Sequence, residues 1–215
     1  MKRIILLSAL ITLAFSSINA QGVRFGIKGG LNTSSLGEYE YSLAVRENAE
    51  LDNKAGVYAG LFTQIFFTPQ LGLETGLFYS TLGGMEKEND HNEQYKITVN
   101  PAYLQLPLIL IYKVDILEDL AIYPAVGVYG GYGLSGKIKS KGTVWENDVT
   151  FEKNYFDDFA RKLDVGGSIG LNVEYRKFVL GGAYDRGFLR VNKEKIEFGD
   201  NAFNSNFRIT LAYIF

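Results

Sequence analysis

The sequence predicts an all-β protein, an eight-stranded antiparallel up-and-down barrel with a filled interior, and three observations predict it. Apolar and polar residues alternate with a period of two through eight runs, as they do where successive side chains point to opposite faces of a sheet. The connections between those runs alternate between short and long. The last run ends on aromatic residues. Composition agrees, because 47% hydrophobic and 14% aromatic residues, with 24 glycines and only 4 prolines, suit long strands rich in tyrosine and phenylalanine.

Residues 1–20 read as a cleaved signal peptide, which leaves 21–215 for the barrel. Lys2 and Arg3 supply a positive start, Ile4 to Phe15 an apolar stretch broken by Ser8 and Thr12, and Ser16 to Ala20 a small-residue exit before Gln21. The apolar stretch is shorter than the ~20 residues a membrane helix needs. The first mature strand sets Val23, Phe25, Ile27 and Leu31 against Arg24, Gly26, Lys28, Gly30 and Asn32. Four runs follow, at about Ala55 to Thr68, Leu71 to Gly83, Lys96 to Lys113 and Leu120 to Gly136. In the last of these Ala121, Ala125, Gly127, Gly131 and Gly133 share the inner face with Tyr123 and Tyr129, so small residues leave room for neighbouring side chains in a narrow lumen. The sixth run, Leu163 to Tyr175, is the clearest: Leu163, Val165, Ile169, Leu171, Val173 and Tyr175 oppose Asp164, Gly166, Ser168, Gly170, Asn172 and Glu174. Phe178 to Val191 is the seventh. In the eighth, Phe207, Ile209, Leu211, Tyr213 and Phe215 oppose Arg208, Thr210 and Ala212.

Segments 68–70, 114–119 and 176–177 are short, whereas 33–54, 84–95, 137–161 and 192–202 are long and polar. A soluble sandwich would show the same alternation, since its apolar faces bury against each other. The secretion signal, the alternating connections and the aromatic terminal strand point instead to a transmembrane barrel in the cell outer membrane, with apolar faces on outer-membrane lipid. Such barrels carry short periplasmic turns, longer outer loops and an even strand number, which puts both termini on the periplasmic side.

An eight-stranded barrel is only wide enough for side chains to fill it, so no open pore is expected. Arg24, Lys28, Glu74, Asp164, Glu174 and Arg208 fall on inward positions and should pair, because isolated charges are costly at low dielectric. Arg24, Glu74 and Glu174 are expected to form a lower layer, and Lys28, Asp164 and Arg208 another.

Net charge is −2, from 22 basic and 24 acidic residues, which offers no electrostatic footprint for nucleic acid. Cysteine is absent, which removes thiol catalysis, thiolate metal sites, disulfides and lipoprotein attachment. His91, the one histidine, sits in an acidic loop from Glu86 to Glu93 with no nucleophile beside it. That loop also lacks calcium-loop spacing. Glycine pairs such as Gly29-Gly30 and Gly181-Gly182 do not lie between a strand and a helix start, so they are not phosphate cradles. Trp145, Phe151 and Tyr155 are expected to pack on the barrel rim. No catalytic residue, metal or cofactor is expected, and the chain reads as a non-enzymatic structural or interaction protein. The alternatives are a narrow porin-like channel and an accessory factor of an envelope secretion system.

The runs Gly72 to Ser80, Tyr103 to Leu108 and Tyr123 to Gly127 resemble the PorT-type outer-membrane β-barrel family common in Bacteroidota, as does Tyr155 to Phe159 leading to Asp164 to Gly170. The likeness covers nearly all of the mature chain and marks architecture more than a shared activity. Two departures are Gln105, where that family often carries an acid, and Phe188 after Gly187, where it often carries leucine. The resemblance implies assembly by the barrel-insertion machinery, which reads a terminal strand such as Phe207, Ile209, Leu211, Tyr213 and Phe215. Some relatives assist a secretion and gliding system. That role is not carried over, and an envelope protein partner stays unspecified.

Overall fold

The computed structural model describes residues 22–35, 52–90, 93–144, 147–158, 160–191 and 203–215. The expected signal peptide, His91, Trp145 and most of the connections 33–54 and 192–202 lie outside the described residues. The elements are β1 (Gly22–Ser35), β2 (Asp52–Phe66), β3 (Leu71–Thr81), β4 (Gly84–Asp90), β5 (Glu93–Tyr112), β6 (Val114–Leu117), β7 (Leu120–Val144), β8 (Asn147–Asn154), the short helix α1 (Tyr155–Asp158), β9 (Leu163–Tyr175), β10 (Phe178–Gly187) and β11 (Ser205–Ile214).

Eight of these strands close a ring in the order β1, β2, β3, β5, β7, β9, β10, β11, with every neighbour antiparallel. Closure runs from Gly26↔Ile214 to Ser35↔Ser205 between β1 and β11. It leaves the ring no open edge, so its backbone donors and acceptors are satisfied within the sheet. The turns 67–70, 113–119 and 176–177 lie at one end together with Gly22 and Phe215, and the long connections lie at the other. These are called the turn end and the loop end below.

Alternation along each strand puts the greasy side chains outside. Ile169, Leu171 and Leu211 are 62%, 54% and 56% exposed, whereas Ser168 and Thr210 beside them are buried. Aromatics collect in two rings around the aliphatic band, with Tyr112, Tyr175, Phe178 and Phe215 at the turn end and Tyr79, Tyr132, Tyr184 and Phe207 at the loop end. Tyr132 pairs with Leu104, eight residues from Tyr112. At ~3.3 Å per residue and a tilt of ~40° the two aromatic rings stand roughly 20 Å apart, close to the ~25 Å apolar band of a membrane barrel.

Three expectations are corrected. Segments 84–95 and 137–161, read as polar loops, are mostly strand. β4 and β5 pair out to Asp90↔Glu93, and β7 and β8 out to Val144↔Asn147. β7 alone has 25 residues where ~9–11 would cross a bilayer, so β4, β5, β7 and β8 form a sheet that projects beyond the ring. Both faces of these segments carry polar residues, which erases the alternation that marks a strand in sequence. β4 replaces β3 as partner of β5 after Gly83, whose φ of 142° only glycine takes readily. Segment 114–119 holds β6, which pairs with β7. The seventh run stops at Gly187 instead of Val191, because the chain folds over the loop end, where Val191 is buried and its carbonyl accepts the Arg161 N–H at 2.8 Å.

Candidate functional site

The lumen is built on one strand. Tyr58, Phe62 and Phe66 recur every four residues on the inner face of β2, all buried. Each supports a cation: Arg24 lies 4.9 Å from the Phe66 centroid, Lys28 4.8 Å from Phe62 and Arg208 5.0 Å from Tyr58. Neighbouring glycines make room for the rings. A Cβ on Gly26 would stand 2.5 Å from Phe62, and one on Gly60 2.7 Å from Phe78.

Near the turn end the charges form one connected layer. Arg24 donates to Glu174 at 2.8 Å and to Gln64 at 2.5 Å. Gln64 donates to Glu74 at 2.9 Å, and Lys28 pairs with the same carboxylate. Lys113 reaches Glu174 at 2.8 Å, and the Tyr123 hydroxyl donates to it at 3.4 Å. Above this layer a cavity of about 30 Å³ remains, bounded by Lys28, Glu74, Ser168, Asn172, Arg208 and Thr210 among others. That is room for about one water.

Toward the loop end Arg208 pairs with Asp185 and donates to Ser168 at 3.2 Å, while Asn206 donates to Asp185 at 3.2 Å. Asp164 accepts from the Tyr129 hydroxyl at 3.2 Å and from Asn204 at 3.0 Å. The mouth is closed by an aromatic cap. Tyr155 and Phe156 of α1 pack with Leu82, Val99, Tyr103, Ala160 and Val191, and the Phe156 ring meets Tyr103 edge-on at 5.5 Å. A Cβ on Gly133 would stand 2.4 Å from that ring, so glycine there is the socket for the cap.

All six charges expected in the lumen lie there, but in a different grouping. Lys28 joins the layer of Arg24, Glu74 and Glu174 through its pair with Glu74, not the layer of Asp164 and Arg208. Asp164 has no lysine or arginine partner among the described residues, and Arg208 takes Asp185. A staggered ring sets which strands face each other across the lumen, and strand counting does not supply that stagger. Gln64 and Asp185 were missed although both occupy inward positions by alternation. Gln64 is uncharged, and Asp185 falls in the less regular seventh run. Lys113, the last residue of the run read from Lys96 to Lys113, was missed as well, although it keeps the inward parity of the buried Ile109 and Ile111. Tyr155, expected on the rim, packs inside the mouth.

Of the five terminal-strand residues, Phe207, Ile209, Leu211 and Phe215 are exposed on the outer wall. Tyr213 is half-buried between Phe178 at 5.3 Å and Phe215 at 5.8 Å. On the projecting sheet, Glu152 accepts from Lys137 and lies 3.7 Å from Lys139. The hydrogen bond from Lys137, helped by the charge of Lys139, holds its carboxyl below the usual carboxylate range.

An apolar outer wall around a hydrogen-bonded polar interior is the arrangement of a barrel that sits in lipid. The chain belongs to the outer membrane protein beta-barrel domain family. Residues 18–191 match that family. Membership makes the chain an outer-membrane barrel with a porin-like transmembrane fold. No curated protein matches the chain. Among solved structures it is similar to OprG from Pseudomonas aeruginosa, at 15% identity over 91% of this chain and 97% of that one, with a TM-score of 0.49. It is also similar to Ail of Yersinia pestis, at 14% identity over 89% and 98% with a TM-score of 0.40, and to Neisserial surface protein A, at 10% over 91% and 100% with a TM-score of 0.40.

Proposed function

We propose that this family member is a plugged, non-enzymatic outer-membrane barrel that presents its projecting sheet outward for interaction. In this reading residues 1–20 are a cleaved signal, both termini are periplasmic, and the loop end faces the exterior. The barrel-insertion machinery reads the strand Phe207 to Phe215, and the PorT-type resemblance assigns the chain to that branch of the family. Its lipid-facing wall meets outer-membrane lipid, and an envelope protein is a further partner of the sheet. The observation that carries the reading is the double closure of the lumen, by the charged layer around Glu74 and Glu174 and by the Tyr155–Phe156 cap. The six inward charges act as a structural plug that fixes the ring.

A narrow porin-like channel is the second reading, favoured by the polar lining of the mid-height cavity. Planar-bilayer recording separates the two: the plugged barrel gives no steady conductance, and a reproducible unit conductance would establish the channel instead. Crosslinking in intact cells followed by identification of adducts tests the interaction role. Absence of any adduct through the projecting sheet would remove it.

A further inference from the structure

Under the aromatic cap the lumen is rich in oxygen acceptors, and we propose that Asp164, Asp185, Asn204 and Asn206 hold one calcium ion there. The four side chains come from three neighbouring strands. Asp164 lies on β9, Asp185 on β10 and Asn206 on β11, with Asn204 just before that strand, and none is more than 3% exposed. Asp185 and Asn206 are Cα partners, Asn204 donates to Asp164, and the Gly187 N–H reaches the Asn204 carbonyl at 2.8 Å, so the set forms one patch of the inner wall.

The carboxylates dictate how the two amides are turned. Asn204 points its nitrogen at Asp164 Oδ2, 3.0 Å away, and Asn206 points its own at Asp185 Oδ2, 3.2 Å away. An amide whose nitrogen faces a carboxylate sends its oxygen elsewhere. Both amide oxygens are buried without a protein partner, as is Asp185 Oδ1, and buried acceptors are rarely left so. Asn32 Oδ1 is unpartnered too, but it faces Gly56 of β2, where a Cβ would stand 2.3 Å from it, and it stays outside the set.

Charge favours a cation over water alone. Asp164 accepts from neutral donors, Tyr129 and Asn204, and has no lysine or arginine partner among the described residues. Arg208 is committed to Asp185 and Ser168, and Lys54 donates to the Val99 carbonyl at 3.4 Å. A carboxylate left uncompensated in the interior is costly. Two carboxylates are too few for a metal site by themselves. With two amide oxygens beside them they give the hard, all-oxygen set that calcium takes, and water completes its roughly six to eight ligands. A Cβ on Gly187 would stand 3.1 Å from Asp164 Oδ1 and 3.4 Å from the backbone N and O of Asn204, so glycine leaves space beside the carboxylate. An ion held there ties β9, β10 and β11 together beneath the cap.

The test is calcium binding by the full-length barrel, folded in neutral detergent micelles after chelator treatment and measured by equilibrium dialysis. Asp164→Asn, which keeps the shape of the side chain, is expected to weaken binding at least ~10-fold. Gly187→Ala, which fills the space and leaves both carboxylates, is expected to weaken it by a similar factor. Magnesium, which demands near-octahedral geometry and gives up its water reluctantly, is expected to compete at least ~10-fold less well than calcium. Saturating calcium is expected to raise the urea midpoint of the unaltered barrel and to leave that of Asp164→Asn unchanged. Heat-modifiable migration checks that each variant is folded, and if one fails to fold the other decides. No calcium bound to the unaltered barrel at about 1 mM, or equal affinity in the folded variants, overturns the proposal and leaves the oxygens to buried water. Equal competition by magnesium overturns the enclosed site in favour of loose attraction to surface acids.

Discussion

The two halves of the lumen are filled by different means. Near the turn end, Arg24, Lys28 and Lys113 interlock with Glu74 and Glu174, and among the atoms of that network only the Arg24 Nε is buried without a protein partner. Toward the loop end, acceptor oxygens of Asn32, Asp185, Asn204 and Asn206 are buried without one, and an aromatic cap finishes the closure. A satisfied charge network is stiff and intolerant of single losses, because each removal strands a partner. Aromatic packing is more forgiving, because losing one ring leaves no charge behind.

The largest effect is expected at Glu74. Its replacement by alanine leaves Lys28 unpaired inside the wall and should lower unfolding stability by about 3–5 kcal/mol. Urea titration in detergent micelles, followed by heat-modifiable migration, measures it. The double variant Lys28→Met, Glu74→Leu should recover most of the loss, since an apolar pair replaces a buried ion pair at little cost. A double variant as unstable as Glu74→Ala would mean that the network does more than neutralise charge.

Phe156→Ala at the opposite end should cost about 3 kcal/mol, the low end for removing a buried aromatic side chain. Planar bilayers should still show no conductance, because the charged layer remains. A conducting Phe156→Ala variant would make the cap the only seal and end the comparison.

A smaller pair of substitutions sharpens it. Gly133→Ala forces a Cβ to within 2.4 Å of the Phe156 ring, whereas Gly131→Ala meets nothing nearer than 3.6 Å. The first should destabilise by about 1–3 kcal/mol through overpacking, and the second by under about 1 kcal/mol. Equal melting shifts would show that Phe156 does not need the space at Gly133.

The smallest effect concerns acid. Lys137 and Lys139 depress the Glu152 carboxyl, so the support it lends to the β7–β8 pairing is present above the ordinary carboxylate pKa. That support is lost as pH falls through the depressed one. Amide protection of β8, corrected for intrinsic exchange, should fall slightly in that acid window and be insensitive to pH in Glu152→Gln.

Much of this was legible before any coordinates. Alternation gave Leu163 to Tyr175 its bounds to the residue, and it placed Tyr123 and Tyr129 inside, because period-two patterning is a local property of an extended chain facing two solvents. It failed at β4 and β8, where neither face meets lipid and polar residues sit on both. It did not fail at Lys113, which keeps the inward parity of Ile109 and Ile111 and was overlooked only because it closes its run.

The amino-acid order by itself determined the eight crossing strands, their neighbours around the ring and the face that each turns to lipid. Contacts across the lumen belong to the tertiary structure, which matched Lys28 to Glu74, Arg208 to Asp185 and Phe156 to Gly133. The physical reason is the stagger of a closed sheet. It fixes which residues share a height inside the barrel, and no local pattern in the chain encodes it.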